Sequence, residues 1–187
     1  ALKIVAVRAA LRVLPWISFE SKKWLESNFL PIIRSLAISW AACNDRTVNS
    51  STAALGAYRS CRSVMPTVKR NSVYGSPFVA AQAAANAAFA IANDYSSIEA
   101  AINSIKASLL WGGGTIFRDQ IDSELRWIKT QDSPNTARTL SRKPIWMERD
   151  WGGAAGNLNV LLEIDPNYVA WLVWYERRIR GGRAAFG

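Results

Sequence analysis

The chain has 187 residues, half of them hydrophobic, with 23 Lys and Arg against 14 Asp and Glu, a formal charge of +9, a pI near 10 and no histidine. That length fits one domain with a proper core, and the balance of apolar and charged residues excludes a disordered chain. The missing histidine excludes Ser-His-Asp and Cys-His catalysis, His-ligated metals and imidazole acid–base chemistry.

Residues 1–14 read as a helix ended by Pro15, because proline removes a donor and pushes the preceding residue out of the helical region. Lys3, Arg8 and Arg12 interrupt its apolar run, which a signal-peptide core would not tolerate, so an amphipathic first helix is expected. The absence of a methionine before Ala1 points to processing or to a piece of a longer protein. A second helix is expected from near Ser18, carrying Trp24 and Leu25. Pro31 then opens a third over 32–42, with Ile32, Ile33, Leu36 and Trp40 inward.

From Asn44 to Ser76 the texture is polar, with a helix over 53–63 and breaks at Pro66, Gly75 and Pro77. Phe78 to Asn93 is alanine-dominated and uncharged. It reads as a buried central helix rather than a membrane span, since Gln82, Asn86, Gly75 and Pro77 dilute a run with few large apolar residues. Ser96 and Glu99 form a capping box before a helix to Trp111, with Ile98, Ile102, Ile105 and Leu109 inward. Gly112 to Gly114 reads as a turn, because no strand precedes it and the Lys-Ser/Thr of a phosphate loop is missing. The helix over 117–129 places Phe117, Ile121, Leu125 and Ile128 inward, with Arg118–Asp122 and Asp122–Arg126 outside at i, i+4. Residues 130–143 read as an exposed linker and a candidate sub-boundary. Beyond it lies a Trp-rich helical segment over 144–182, including a helix around Leu158 to Leu162.

The closing stretch, Asp165 to Gly182, is the most clearly punctuated. Ile164, Asp165 and Pro166 read as staple residue, N-cap and first helical position, Val169 is placed to meet Ile164, and Gly181 stands at the C-cap. Tyr168, Leu172, Tyr175 and Ile179 line one face, widened by Trp171 and Trp174.

Proline-Ile-Trp at 144–146, a Gly-containing turn, a Leu-rich helix and then Trp171, Trp174, Tyr175, Arg178, Ile179 and Gly181 resemble an uncharacterised family of bacterial helical regions. In that family an alanine-rich stretch precedes a P-L-W motif and a closing W-x-V-W-x-x-W-Y-x-x-R-L-x-G motif. The resemblance covers roughly the last 45 residues. It implies a helical module that can sit beside other domains, and it brings no catalytic residues.

Three sets of residues are candidates for function. Trp171, Trp174, Tyr175 and Arg178 either close the core or form an aromatic partner-binding surface. Arg46, Arg59, Arg62, Lys69 and Arg70, interleaved with Tyr58 and Tyr74, are candidate nucleic-acid contacts. They belong to an N-terminal half in which eleven basic residues face three acids. Glu148 and Asp150, between Trp146 and Trp151, are the one enzyme-like pair, whereas Asp119, Asp122 and Glu124 read as a solvated, salt-bridged face. Cys43 and Cys61 suggest free thiols in a reducing compartment. The combined expectation is a single all-α multi-helix bundle with a Trp-rich core, cytoplasmic, with no cofactor, metal or membrane. It would serve as a non-enzymatic interaction or scaffold domain that binds a protein partner or itself, with a basic nucleic-acid-binding module as the alternative.

Overall fold

Arginine inside a short apolar helix demands either a polar outer face or an internal acid, and this chain takes the second course. A computed structural model describes residues 2–19, 21–44, 48–64, 76–93, 97–111, 115–131, 135–145 and 158–181. Its first helix, α1 (Leu2–Val13), is buried at every position from Ile4 to Val13, Arg8 and Arg12 included. The amphipathic reading of this segment is therefore corrected. Ile4, Val5, Val7, Leu11 and Val13 point in all directions round the axis, so no face remains for water.

The remaining helices pack on α1 or on its neighbours. They are α2 (Lys22–Asn44), α3 (Val48–Val64), α4 (Ser76–Ala92), α5 (Ser97–Trp111), α6 (Thr115–Lys129), α7 (Thr136–Ser141), α8 (Val160–Ile164) and α9 (Val169–Ile179), with 3-10 turns at Leu14–Phe19 and Pro166–Tyr168. No strand occurs among the described residues, so the chain is an all-α bundle. One apolar cluster runs from Ile4 to Ile179.

Pro31 does not divide two helices. It lies inside α2, which runs unbroken from Lys22 after Ser21, whose Oγ accepts from the Trp24 amide at 3.3 Å as an N-cap does. A mid-helix proline costs about 3 kcal/mol. Burial of Leu25, Phe29, Ile32, Ile33 and Leu36 outweighs it, since each large apolar side chain removed from water contributes about 1.5–3 kcal/mol.

The alanine helix α4 sits among α1, α2, α3 and α5, as its composition predicts. Ala80, Ala81, Ala83, Ala84, Ala85, Ala87, Ala88 and Ala90 are all buried. Small side chains let neighbours approach its backbone closely. Ser35 Oγ of α2 donates to Ala84 O at 3.2 Å, Ser104 Oγ of α5 to Ala83 O at 2.9 Å, and Cys61 Sγ of α3 to Ala81 O at 3.2 Å. Burial pushes the Cys61 thiol up to about 12, so it stays protonated as an inert core group, while Cys43 is half-buried. No described helix is long and apolar enough to cross a membrane.

The α5 stripe is also corrected. Ala100, Ala101, Ser104 and Ile105 face α4 and α1, whereas Ile98 is 66% exposed and Ile102 39% exposed. Close packing against an alanine helix favours the arc of α5 that carries Ala100, Ala101 and Ser104, and that rotation keeps Ile105 inward as expected while turning Ile98 and Ile102 outward.

Candidate functional site

The most concentrated charge in the described structure lies where α1 meets α6 and the segment after α7. Arg8 and Arg12 are one turn apart and converge on Glu124, which the sequence placed on a solvated face and which is instead buried. Arg8 Nε and Nη2 donate to Glu124 Oε1 at 2.9 and 2.7 Å. Its Nη1 donates to Leu140 O and Lys143 O at 2.9 and 2.7 Å, and Nη2 also donates to Pro144 O at 2.6 Å. These five bonds match the five donors of a guanidinium. Arg12 donates from Nε to Ile145 O at 3.0 Å, from Nη1 to Glu124 Oε2 at 3.3 Å, and from Nη2 to Glu124 Oε1.

Two cations thus share one carboxylate, and the carbonyls of residues 140–145 supply the remaining negative character. Helix α7 contributes through its C-terminal end, where Leu140 O accepts from the Lys143 amide at 3.1 Å and uses its remaining lone pair for Arg8. The stretch 130–143, read as an exposed linker, is exposed at Thr130, Gln131, Asn135, Arg138, Thr139, Arg142 and Lys143 but enters the core at Thr136, Leu140 and Ser141, followed by the buried Ile145. Burial alone would raise the Glu124 pKa, but Arg12 and Arg8 outweigh it and hold the carboxyl below its ordinary range. Burial lowers Arg8 against the opposing pull of Glu124. Arg118, Asp119 and Arg126 stay exposed on the outer face of α6, and Asp122 is half-buried.

The C-terminal aromatic set packs onto the same framework. Asp165 accepts from the Asn167 amide at 2.9 Å, Pro166 opens a 3-10 turn, and Gly181 follows α9 with φ +77°, so both caps stand where the sequence put them. Val169, expected as half of a staple, is 51% exposed. Tyr175 Oη donates to Leu11 O at 3.0 Å. Pro15, four residues beyond Leu11, has no amide hydrogen to fill that acceptor, and the tyrosine supplies the donor from outside the helix. Trp174, Tyr175 and Arg178 are buried in this chain's own core, and Trp171 is partly buried against it. Arg178 lies 6.0 Å from the ring centre of Trp40, and burial lowers its pKa, with Arg177 adding to the effect. Three of these four candidates therefore face inward, because α9 spends its aromatic face on α1 and α2. Of the nine tryptophans, Trp40 and Trp174 are buried, and Trp24, Trp127 and Trp171 pack partly buried against the core.

Of the candidate nucleic-acid contacts, Arg59 and Arg62 are exposed on α3. Arg62 Nη1 donates to Tyr58 Oη at 3.2 Å, and the Tyr58 ring lies 4.8 Å from that of Phe89. Arg46, Lys69, Arg70 and Tyr74 lie outside the described residues, as do Gly112 to Gly114, Glu148 and Asp150. Two of the eleven N-terminal basic residues, Arg8 and Arg12, are internal and add nothing to a surface patch. A different basic grouping emerges instead. Lys143 Nζ sits 3.8 Å over the Trp127 ring, at the end of α6 that also carries the exposed Arg126 and Lys129.

The buried triad had a signal in the sequence: a twelve-residue segment with apolar residues on every face and two arginines at i, i+4 has nowhere to put them except inside. The fold thus defines an all-α bundle built round a charged, buried first helix. Compared with protein-family models, curated proteins and solved structures, the chain matches none of them. No group of three or more metal-binding side chains occurs among the described residues.

Proposed function

We propose that this chain is a non-enzymatic helical interaction module whose contact surface is the outer face of α5. The observation that carries the reading is the outward position of Ile98 and Ile102 on successive turns of one helix. A lone exposed isoleucine is ordinary, but paired ones at i, i+4 form the kind of apolar strip a partner helix covers. A cytoplasmic, bacterial setting within a larger protein or assembly belongs to the same reading.

A photo-crosslinking side chain at Asn103, exposed beside Ile102, tests it. In the cell of origin it is expected to trap a protein, and Ile98→Glu with Ile102→Glu is expected to abolish that product. No crosslinked product at all would sink the reading.

Lys143 over the Trp127 ring, with Arg126 and Lys129 exposed at the same end of α6, favours a second reading, a nucleic-acid contact there. It predicts affinity for DNA or RNA that falls steeply with salt, because each neutralised phosphate releases counterions. Absence of binding at low salt would remove it.

A further inference from the structure

Five exposed side chains on α5 fall on one arc: Ile98, Ile102, Lys106, Glu99 and Asn103, in order round the axis, while Ala100, Ala101, Ser104 and Ile105 fill the opposite, buried arc. At 3.6 residues per turn the exposed set spans about 140°. Along the axis the order is acid, apolar centre, base, with Glu99 and Lys106 two turns apart. Neither residue enters the ion pairs formed among the described residues.

From this pattern we infer that α5 pairs with α5 of a second copy of the chain, antiparallel, across a two-fold axis near Ile102 and Asn103. The inference rests on the reading of this face as the contact surface. The stripe is its own complement. Running antiparallel, each Glu99 faces the other copy's Lys106, twice per dimer, and Ile102 meets Ile102 at the axis. The Lys106 alkyl stem lies over the partner's Ile98 while its ammonium reaches Glu99. A parallel pair would set acid against acid and base against base. A two-fold contact presents the same patch from both copies, which this order of charges satisfies. Two turns of one helix bury less than the roughly 1,600 Å² of a standard interface, so the dimer is weak and concentration-dependent.

Analytical ultracentrifugation of the full chain decides it, using wild type, Glu99→Lys, Lys106→Glu and the double swap. All three variants change exposed residues; Glu99→Lys and the double swap also remove the acid from the first turn of α5, so helical circular dichroism is measured for each and Lys106→Glu, which leaves that turn intact, is the control for folding. Wild type is expected to show a monomer–dimer equilibrium. Each single change turns two opposite-charge pairs into two like-charge pairs and is expected to weaken dimerisation about tenfold, whereas the double swap restores the pairs and returns it to within about twofold of wild type. A wild-type monomer at the highest soluble concentration, single changes without effect, or a double swap as weak as either single would overturn the inference. The Asn103 crosslink separates the two levels. A product of twice the chain's mass supports self-pairing, a product with a different protein leaves the interaction reading standing without it, and no product removes both.

Discussion

Replacing Glu124 by glutamine is expected to cost about 3–5 kcal/mol of folding stability, because it leaves two buried guanidiniums without their shared counter-charge. For a chain of this length that lowers the thermal midpoint by about 6–20 °C, read by circular dichroism. A loss below about 1 kcal/mol would mean that water or another acid reaches Arg8 and Arg12. The same residue sets the acid limit of the fold. The folded carboxyl titrates below its unfolded value of about 4.3. Its contribution is therefore fully present above that value and is lost as pH falls through the folded one. Wild type should lose stability steeply on acidification below about pH 4, and Glu124→Gln should show a shallower acid limb from a lower starting point. Equal acid slopes in the two proteins would contradict the assignment. Swapping all three residues for apolar ones is not expected to be neutral here, since the carbonyls of Lys143, Pro144 and Ile145 would lose their arginine donors and that of Leu140 would keep only the Lys143 amide.

Gly181→Ala is expected to be nearly as damaging, although it adds one methyl group at the end of a surface helix. The backbone at Gly181 has φ +77°, which costs about 1–2 kcal/mol for a residue with a Cβ. That Cβ would also stand 2.6 Å from Arg142 O and 2.8 Å from Pro144 N. Both obstacles are backbone, so neither can swing away, and forcing them apart adds about 1–3 kcal/mol. The movement would strain the Ile145 amide bond to Ile179 O, now 2.7 Å, and shift the carbonyls that hold Arg8 and Arg12. Urea denaturation should show a loss of about 2–5 kcal/mol, with faster proteolysis near residues 142–145. A loss under about 0.5 kcal/mol would mean that the 142–144 segment relaxes freely.

Both effects converge on the stretch 140–145, which the sequence presents as the end of an exposed linker and, from Pro144, the start of the Trp-rich helical segment. Its polar composition and its proline are honest turn signals, but they describe side chains. The structural role of this segment lies in its carbonyls, which every sequence carries alike. What attracts them is the charge on α1, more than 120 residues away in the chain. Similarly, the spacing of Ile98, Ile102 and Ile105 identifies a helix without revealing which arc turns inward. That choice belongs to α4, whose alanines let the Ala100, Ala101 and Ser104 side of α5 approach closely.

Local chemistry alone determined the all-α class, the positions of most helices, the burial of the alanine helix and the caps at Asp165 and Gly181. The class, the helices and the caps depend on residues within a few positions of one another, and the alanine helix is buried because its own small, uncharged composition suits no other place. The tertiary structure decided the continuity of α2 through Pro31, the inward turn of Arg8, Arg12 and Glu124, the occupation of Trp174, Tyr175 and Arg178 by the chain's own core, and the outward turn of Ile98 and Ile102. These depend on which groups compete for the same buried space. A helix costing about 3 kcal/mol at a proline, or an arginine stripped of water, persists only where packing and partners from distant segments offset the loss.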